Sequence, residues 1–240
     1  MIFDLDGTKP EVGFPDTHLA ESDPNGLLAI GGDLSEARLL SAYRRGIFPW
    51  YSTGQPILWW SPAPRMVLYP GELHVARSLR KSLRNRSFEV SVDMAFDAVI
   101  RACAAPRDDS DGTWLVPEMI RSYTALHRTG HAHSIEVWLR GELVGGLYGV
   151  LIGSVFFGES MFSRRADASK VAFTQLAEIG RELPLHFIDC QIYTDHLASL
   201  GARQIEREAF QTELSQAILQ PAAAMRRRLP FPAATLDSAR

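Results

Sequence analysis

The sequence predicts an α+β fold. A small N-terminal α+β domain over residues 1–64 precedes a larger domain over 65–220 built on a mixed, mostly antiparallel sheet, and a loosely held tail covers 221–240. Three observations predict it. Hydrophobic residues make up 46% of the 240-residue chain and charged residues 22%, a balance that suits a packed globule. The N-terminal stretch is rich in Gly, Pro and Asp, unlike the remainder of the chain. Beyond it, consecutive strand-like segments interrupt an otherwise alternating order of strands and helices, which a doubly wound parallel sheet does not accommodate.

The small N-terminal domain contains a single evident helix. Ser35 caps it, Leu39, Leu40 and Tyr43 form its apolar face, and Gly46 ends it. Phe48-Pro49-Trp50-Tyr51 and Leu58-Trp59-Trp60-Ser61-Pro62 then close the domain by aromatic packing. His74 to Arg86 reads as an amphipathic helix, with Val75, Leu79 and Leu83 on one face and Arg77, Lys81 and Arg84 on another, Arg80 beside them. No acid between Glu72 and Glu89 offsets this stripe, so a solvated face and a phosphate-binding surface are equally good readings of it.

Phe88, Val90 and Val92 alternate as a strand. Asp93 is placed to cap a helix carrying Phe96, Val99, Ile100 and Cys103; after a loop from Pro106 to Thr113, Pro117 opens a second helix that Gly130 closes. Ile135, Val137 and Leu139 alternate, and Arg140-Gly141-Glu142 turns the chain into the strands Leu143–Ile152 and Val155–Phe157. The charge-free stretch from Leu143 to Gly158 is shorter than the roughly 20 residues of a membrane-crossing helix. Its glycines at 145, 146, 149 and 153 fit two buried strands joined at Gly153-Ser154. A helix over Asp167–Glu182, a strand over His186–Gln191, a short helix near His196, a strand over Ala202–Ile205 and a helix bearing Phe210, Leu214 and Ile218 complete the order. That order resembles the GNAT acyltransferase fold.

Formal net charge is −3, so no global field favours nucleic acid and any such contact must be local. The two cysteines, Cys103 and Cys190, form no disulfide framework or zinc pattern and fit a reducing compartment. The N-terminus lacks the basic and apolar regions of a signal peptide, and a cytoplasmic protein is expected.

Several motifs invite chemistry. Asp4-Leu5-Asp6-Gly7-Thr8 matches the opening motif of haloacid-dehalogenase phosphatases, but too few residues precede Asp4 for a central strand, and repeated strand–helix units do not follow. Gly158-Glu159-Ser160-Met161-Phe162 falls short of a nucleophile elbow because Phe162 stands where glycine is required. His127, His131 and His133 lie near Glu136, and a hydrogen-bonded cluster suits them better than a metal. Glu159 follows an apolar strand, and Asp189 interrupts Phe187-Ile188-Asp189-Cys190-Gln191-Ile192. A carboxylate in such a run must be paired, as a structural anchor or as a tuned catalytic group. Asp189 and Gln191, two apart, would share a strand face. Finally, the loop Phe162 to Lys170 holds no glycine, so the pyrophosphate seat of acetyl-CoA enzymes of the GNAT fold is missing.

Longer runs carry a specific resemblance: Asp23-Pro24-Asn25-Gly26 through Gly31-Gly32-Asp33-Leu34, Arg45-Gly46-Ile47-Phe48-Pro49-Trp50, Leu58 to Pro62, Gly112-Thr113-Trp114, Gly130 to Trp138, Gly158 to Ser163, Ile188-Asp189-Cys190-Gln191 and Asp195 to Ala202. Over about Phe14 to Phe210 the chain closely resembles leucyl/phenylalanyl-tRNA–protein transferases. The resemblance implies transfer of leucine or phenylalanine, with methionine a further donor, from aminoacyl-tRNA to the α-amine of proteins beginning with Lys or Arg. The product would carry an N-terminus that marks it for degradation. No metal, coenzyme A or other cofactor and no membrane is implied, and a monomer suffices.

By position, the resemblance makes Asp189, Gln191 and Glu159 catalytic. Gln191 would orient the attacking amine, Asp189 would polarise Gln191 and stabilise developing positive charge, and Glu159 would meet the acceptor's cationic residue or α-amine. Trp50, Trp114, Leu147, Phe156, Met161, Phe173, Leu176 and Ile188 line up with the apolar pocket and the platform for the terminal adenosine. Arg77, Arg80, Lys81 and Arg84 fall where the family contacts tRNA phosphates. Leu147, Phe173 and Thr194 depart from the Met, Leu and Asn expected there. Acetyl-CoA acyltransfer, a haloacid-dehalogenase-type hydrolase and a non-catalytic tRNA-binding module are the competing readings.

Overall fold

The computed structural model describes residues 2–9, 13–105, 115–221, 225 and 228–233. Near the N-terminus, β1 (Phe3–Asp4), β2 (Leu27–Ile30), β3 (Phe48–Pro49) and β4 (Leu58–Trp60) form a four-stranded sheet in the order β1-β2-β4-β3. Helix α1 (Glu36–Tyr43) starts where Ser35 accepts a hydrogen bond from the Arg38 amide, 3.4 Å, and Gly46 takes the positive φ that its turn requires. Trp59 anchors this sheet. It is fully buried, its indole donates to the Gly31 carbonyl at 3.0 Å, and Phe14 packs edge-on against it.

The remaining elements are β5 (Arg65–Leu68), α2 (Arg77–Asn85), β6 (Glu89–Val92), α3 (Phe96–Cys103), α4 (Pro117–Arg128), β7 (Ala132–Leu139), β8 (Glu142–Ile152), β9 (Val155–Ser163), α5 (Ala168–Glu182), β10 (Phe187–Gln191), α6 (Asp195–Ala198), β11 (Arg203–Ile205), α7 (Arg207–Ala217) and β12 (Arg228–Pro232). They build an eight-stranded sheet in the order β11-β5-β10-β9-β8-β7-β6-β12. All pairs are antiparallel except β9–β10. The mixed, mostly antiparallel sheet is as expected.

Strand alternation sorts the side chains onto two faces. Val67, Tyr148, Phe157 and Phe187 join a core with α1, α3, α4 and α7, whereas Met66, Leu147, Phe156 and Ile188 join one with α2 and α5. The residues of the β8–β9 hairpin pair as strands, and among the described residues no helix is long and apolar enough to cross a membrane.

Three details depart from the sequence expectation. β5 forms at Arg65–Leu68, a strand that the local pattern does not announce, and sits between β11 and β10. The tail expected to be loosely held contributes β12, which pairs with β6, and buries Met225 and Ala233. Asp93 does not cap α3. It takes φ +56 and accepts from the Ser134 amide, and the buried Glu136 on β7 accepts the amides of Met94 and Ala95 ahead of α3 instead. Each departure rests on a partner distant in sequence.

Candidate active site

β9 and β10 pair only over Val155–Phe157 and Phe187–Asp189; beyond that, β9 continues beside β8 and β10 beside β5. The parting of the two strands opens the sheet. At this point each strand carries a bulge. On β9 the register steps from Gly149↔Gly158 to Tyr148↔Ser160, leaving Glu159 as the extra residue. On β10 it steps from Asp189↔Val67 to Gln191↔Met66, and Gln191 takes φ +65. Bulges re-aim side chains, and these two aim Glu159 and Gln191 at each other.

Gln191 Nε2 donates to Glu159 Oε1 at 2.9 Å, which leaves the Gln191 carbonyl oxygen as an acceptor. Tyr123 donates to Glu159 Oε2 at 2.8 Å, and the hydroxyls of Tyr43 and Tyr123 lie 2.5 Å apart. With the Tyr123 hydroxyl donating to Glu159, Tyr43 is the donor of that pair. Behind Gln191, Asp189 is 0% exposed. Its Oδ1 accepts from Arg65 Nε at 2.8 Å and from the Gln191 amide at 2.9 Å, and its Oδ2 accepts from an Arg65 terminal nitrogen at 2.7 Å. The Arg65 guanidinium lies 4.9 Å from the Phe48 ring centroid and 4.7 Å from that of Phe210.

Burial pushes the Glu159 carboxyl up to about 7; the Tyr123 hydrogen bond and the Tyr43 hydroxyl behind it pull it down, the Asp189 charge raises it, and the Gln191 bond lowers it. Burial and then the Glu159 charge hold Tyr123 and Tyr43 well above the usual phenol range, so both stay protonated donors. Burial, then Asp189, also raises the Cys190 thiol, so the sulfur in this site is no thiolate nucleophile.

These groups border a cavity of about 240 Å³. Of the residues assigned by resemblance, Trp50, Leu147, Met161, Phe173, Leu176 and Ile188 line it with Glu159, Asp189 and Gln191. Thr194, one of the noted departures, also lines it. Trp50, 40% exposed, stands at the mouth with its ring 5.7 Å from Trp60, and its carbonyl accepts from the Trp60 indole. Phe156 is fully buried in the core behind the pocket rather than on its wall. Trp114 lies outside the described residues. Arg77, Lys81 and Arg84 are exposed and border one shallow surface groove, whereas Arg80 turns back to donate to the Val75 carbonyl at 3.1 Å.

The other motifs find structural roles. Asp4 and Asp6 accept the amides of Asp6 and Gly32 at 2.8 Å each, beside an edge strand. His133 bonds Asp93 at 2.7 Å, His127 bonds the Ala132 carbonyl at 2.8 Å and stacks on Phe96, and Glu136 accepts from Ser91 and Ser134. Among the described residues no group of His, Cys, Asp and Glu is placed to hold a metal. The start of α5 is occupied by α2: Ser82 donates to Asp167 at 2.5 Å and Arg86 to the Ala166 carbonyl at 3.0 Å.

Sequence reasoning missed Arg65, Tyr43 and Tyr123. Arg65 carried a signal, since a cation opening the apolar run Met66-Val67-Leu68 needs a buried partner just as Asp189 does. The tyrosines carried none, because Tyr43 and Tyr123 sit at ordinary core positions of α1 and α4.

Comparison with known proteins gives the family. The family profile described as leucyl/phenylalanyl-tRNA protein transferase matches residues 67–215, and that of the N-terminal domain of the same proteins matches 32–63. A leucyl/phenylalanyl-tRNA–protein transferase of Chromobacterium violaceum is 58% identical over 88% of this chain and 91% of its own. One of Nitrosospira multiformis is 59% identical over 85% and 88%. Among solved structures, L-PGS from Bacillus licheniformis overlaps 72% of this chain and 57% of its own at 12% identity with a TM-score of 0.39. A GCN5-related N-acetyltransferase from Kribbella flavida overlaps 69% and 59% at 12% identity with a TM-score of 0.34.

Proposed function

The chain belongs to the leucyl/phenylalanyl-tRNA–protein transferase family, and we propose that it moves leucine or phenylalanine from aminoacyl-tRNA to the α-amine of proteins beginning with Lys or Arg. It is an aminoacyltransferase. The observation that carries the finer reading is the Glu159–Gln191 contact at the parting of β9 and β10, beside an apolar wall of Leu147, Phe173, Leu176 and Ile188. That wall suits a leucyl or phenylalanyl side chain, and the exposed Trp50 offers a face for the terminal adenine.

The ester of aminoacyl-tRNA is already activated, so catalysis is chiefly a matter of placing an amine against it. With its NH₂ committed to Glu159, Gln191 presents its carbonyl oxygen to an N–H of the acceptor amine. Glu159 supplies the negative charge that a cationic acceptor terminus meets. The neutral amine nitrogen attacks the ester carbonyl, the new C–N bond forms, and the C–O bond to the ribose breaks, with the proton lost from the amine taken up by the departing ribose oxygen. Asp189 acts through Gln191. Arg65 bonds both carboxylate oxygens and the Gln191 amide bonds Oδ1, which suits Asp189 to fixing the bulge rather than to touching substrate. Arg77, Lys81 and Arg84 suit tRNA phosphates. The product's N-terminus would direct it to degradation, and a cytoplasmic monomer is sufficient for the reaction.

The test is transfer of labelled phenylalanine from phenylalanyl-tRNA to a peptide beginning with Arg. Tight tRNA binding without transfer would make the chain a binding module instead. Acetyl-CoA transfer and haloacid-dehalogenase hydrolysis gain no support from the family match or from the occupied start of α5.

A further inference from the structure

The basic helix α2 and the pocket are joined through α5. Ser82 and Arg86 dock α2 on Asp167 and Ala166, which lead into α5. From there Lys170, Phe173 and Leu176 succeed one another at intervals that keep them on one helical face. Phe173 and Leu176 line the pocket, so Lys170, one turn earlier, stands between the pocket's apolar wall and the docked helix. Thr194 and Leu197, at the N-cap of α6 and within it, line the same pocket, and the Lys170 charge adds to burial in lowering the pKa of His196 between them. Lys170 is half-buried and makes no ion pair among the described residues. Asp167, the acid nearest it in sequence, is engaged by Ser82, and Asp195 on α6 by Tyr193 at 2.8 Å.

Resting on the transfer reading, we propose that Lys170 binds the phosphodiester next to the donor's terminal nucleoside, and is a positioning residue that links the phosphate track on α2 to the ester in the pocket. A donor whose esterified end sits against Phe173 and Leu176, and whose helical body lies against α2, must pass Lys170 in between. An ammonium is a compact point charge with rotatable donors, suited to a single phosphate group.

The experiment uses one acceptor peptide and three phenylalanyl donors: full tRNA, a cytidine–adenosine dinucleotide with one phosphodiester, and adenosine with none. Lys170→Ala should raise KM by roughly tenfold for tRNA and for the dinucleotide, the loss expected of one charge-assisted contact, and leave the adenosine ester unchanged. Lys170→Arg should retain most of the function. Arg77→Ala with Lys81→Ala should impair only the full tRNA, since the short donors do not reach α2. Equal loss with all three donors, or no loss with any, overturns the proposal. Failure of the unsubstituted protein to transfer from any donor overturns instead the activity on which it rests.

Discussion

Arg65 holds Asp189 by two parallel hydrogen bonds of 2.8 and 2.7 Å, with both side chains at most 1% exposed. A buried pair of this kind is costly to break from one side, because the remaining charge has neither water nor partner.

Asp189→Ala should therefore destabilise the fold by roughly 3–5 kcal/mol as well as abolish transfer. Replacing the pair together, Arg65→Met with Asp189→Leu, should restore most of the stability by chemical denaturation but not the activity, since the anchor of the Gln191 amide stays absent. Recovery of transfer in the double variant would show that Asp189 does not act through Gln191.

Glu159 gives the site a pH dependence. Its folded pKa of about 7 lies above the ordinary value of 4.5. A group raised in this way contributes stability that is complete below 4.5 and is lost as pH rises through about 7. The loss amounts to roughly 3 kcal/mol. Glu159→Gln should flatten the stability profile between those limits. Transfer should rise with pH through about 7 as the carboxylate forms, and the Gln variant should lose this part of the limb and keep only the rise from deprotonation of the acceptor amine at about 7.7–8.0. An unchanged pH–rate profile in that variant would remove Glu159 from the proposed chemistry.

Tyr123→Phe removes a donor that favours the ionised Glu159 and leaves the Tyr43 hydroxyl without its partner. The midpoint of the pH–rate limb should move upward, acceptor KM should rise more than donor KM, and stability should fall by about 1–3 kcal/mol. Loss of stability with no movement of the midpoint would reduce the tyrosine pair to core packing.

Arg77→Glu with Lys81→Glu should weaken tRNA binding while leaving the melting temperature near that of the unsubstituted protein, because both side chains are exposed. The slope of log affinity against log salt should drop by about 0.7–0.9 for each phosphate contact removed. An unaltered slope would place the tRNA elsewhere.

Gly149 faces Gly158 beside the bulge that carries Glu159, and a Cβ there would meet the Phe157 carbonyl and the Phe156 ring. Gly149→Ala should cost about 1–3 kcal/mol and lower kcat/KM by shifting Glu159. Denaturation and transfer kinetics measured together would reveal a stability loss without a catalytic one, which would uncouple the bulge from the chemistry.

The sequence by itself determined most of the element order, because alternation and helical spacing are written locally in runs such as Ile135-Val137-Leu139 and Val75-Leu79-Leu83. It also determined which polar residues to watch. Glu159, Asp189 and Gln191 stand out against apolar neighbours, and the long motifs identify the family. It did not determine how those residues meet. A shared strand face for Asp189 and Gln191 presumes an unbroken pleat, whereas the bulge at Cys190 arises from the pairing of β10 with β5. The electrostatic state of Asp189 depends on Arg65, 124 positions away, and that of Glu159 on Tyr43 and Tyr123 from two helices. The placement of β12 and the capping by Glu136 have the same origin. Desolvation, register and charge pairing are set by whichever distant segment packs alongside, so the tertiary structure alone decided that the site is a pair of facing bulges, clamped by one buried ion pair and two buried hydroxyls.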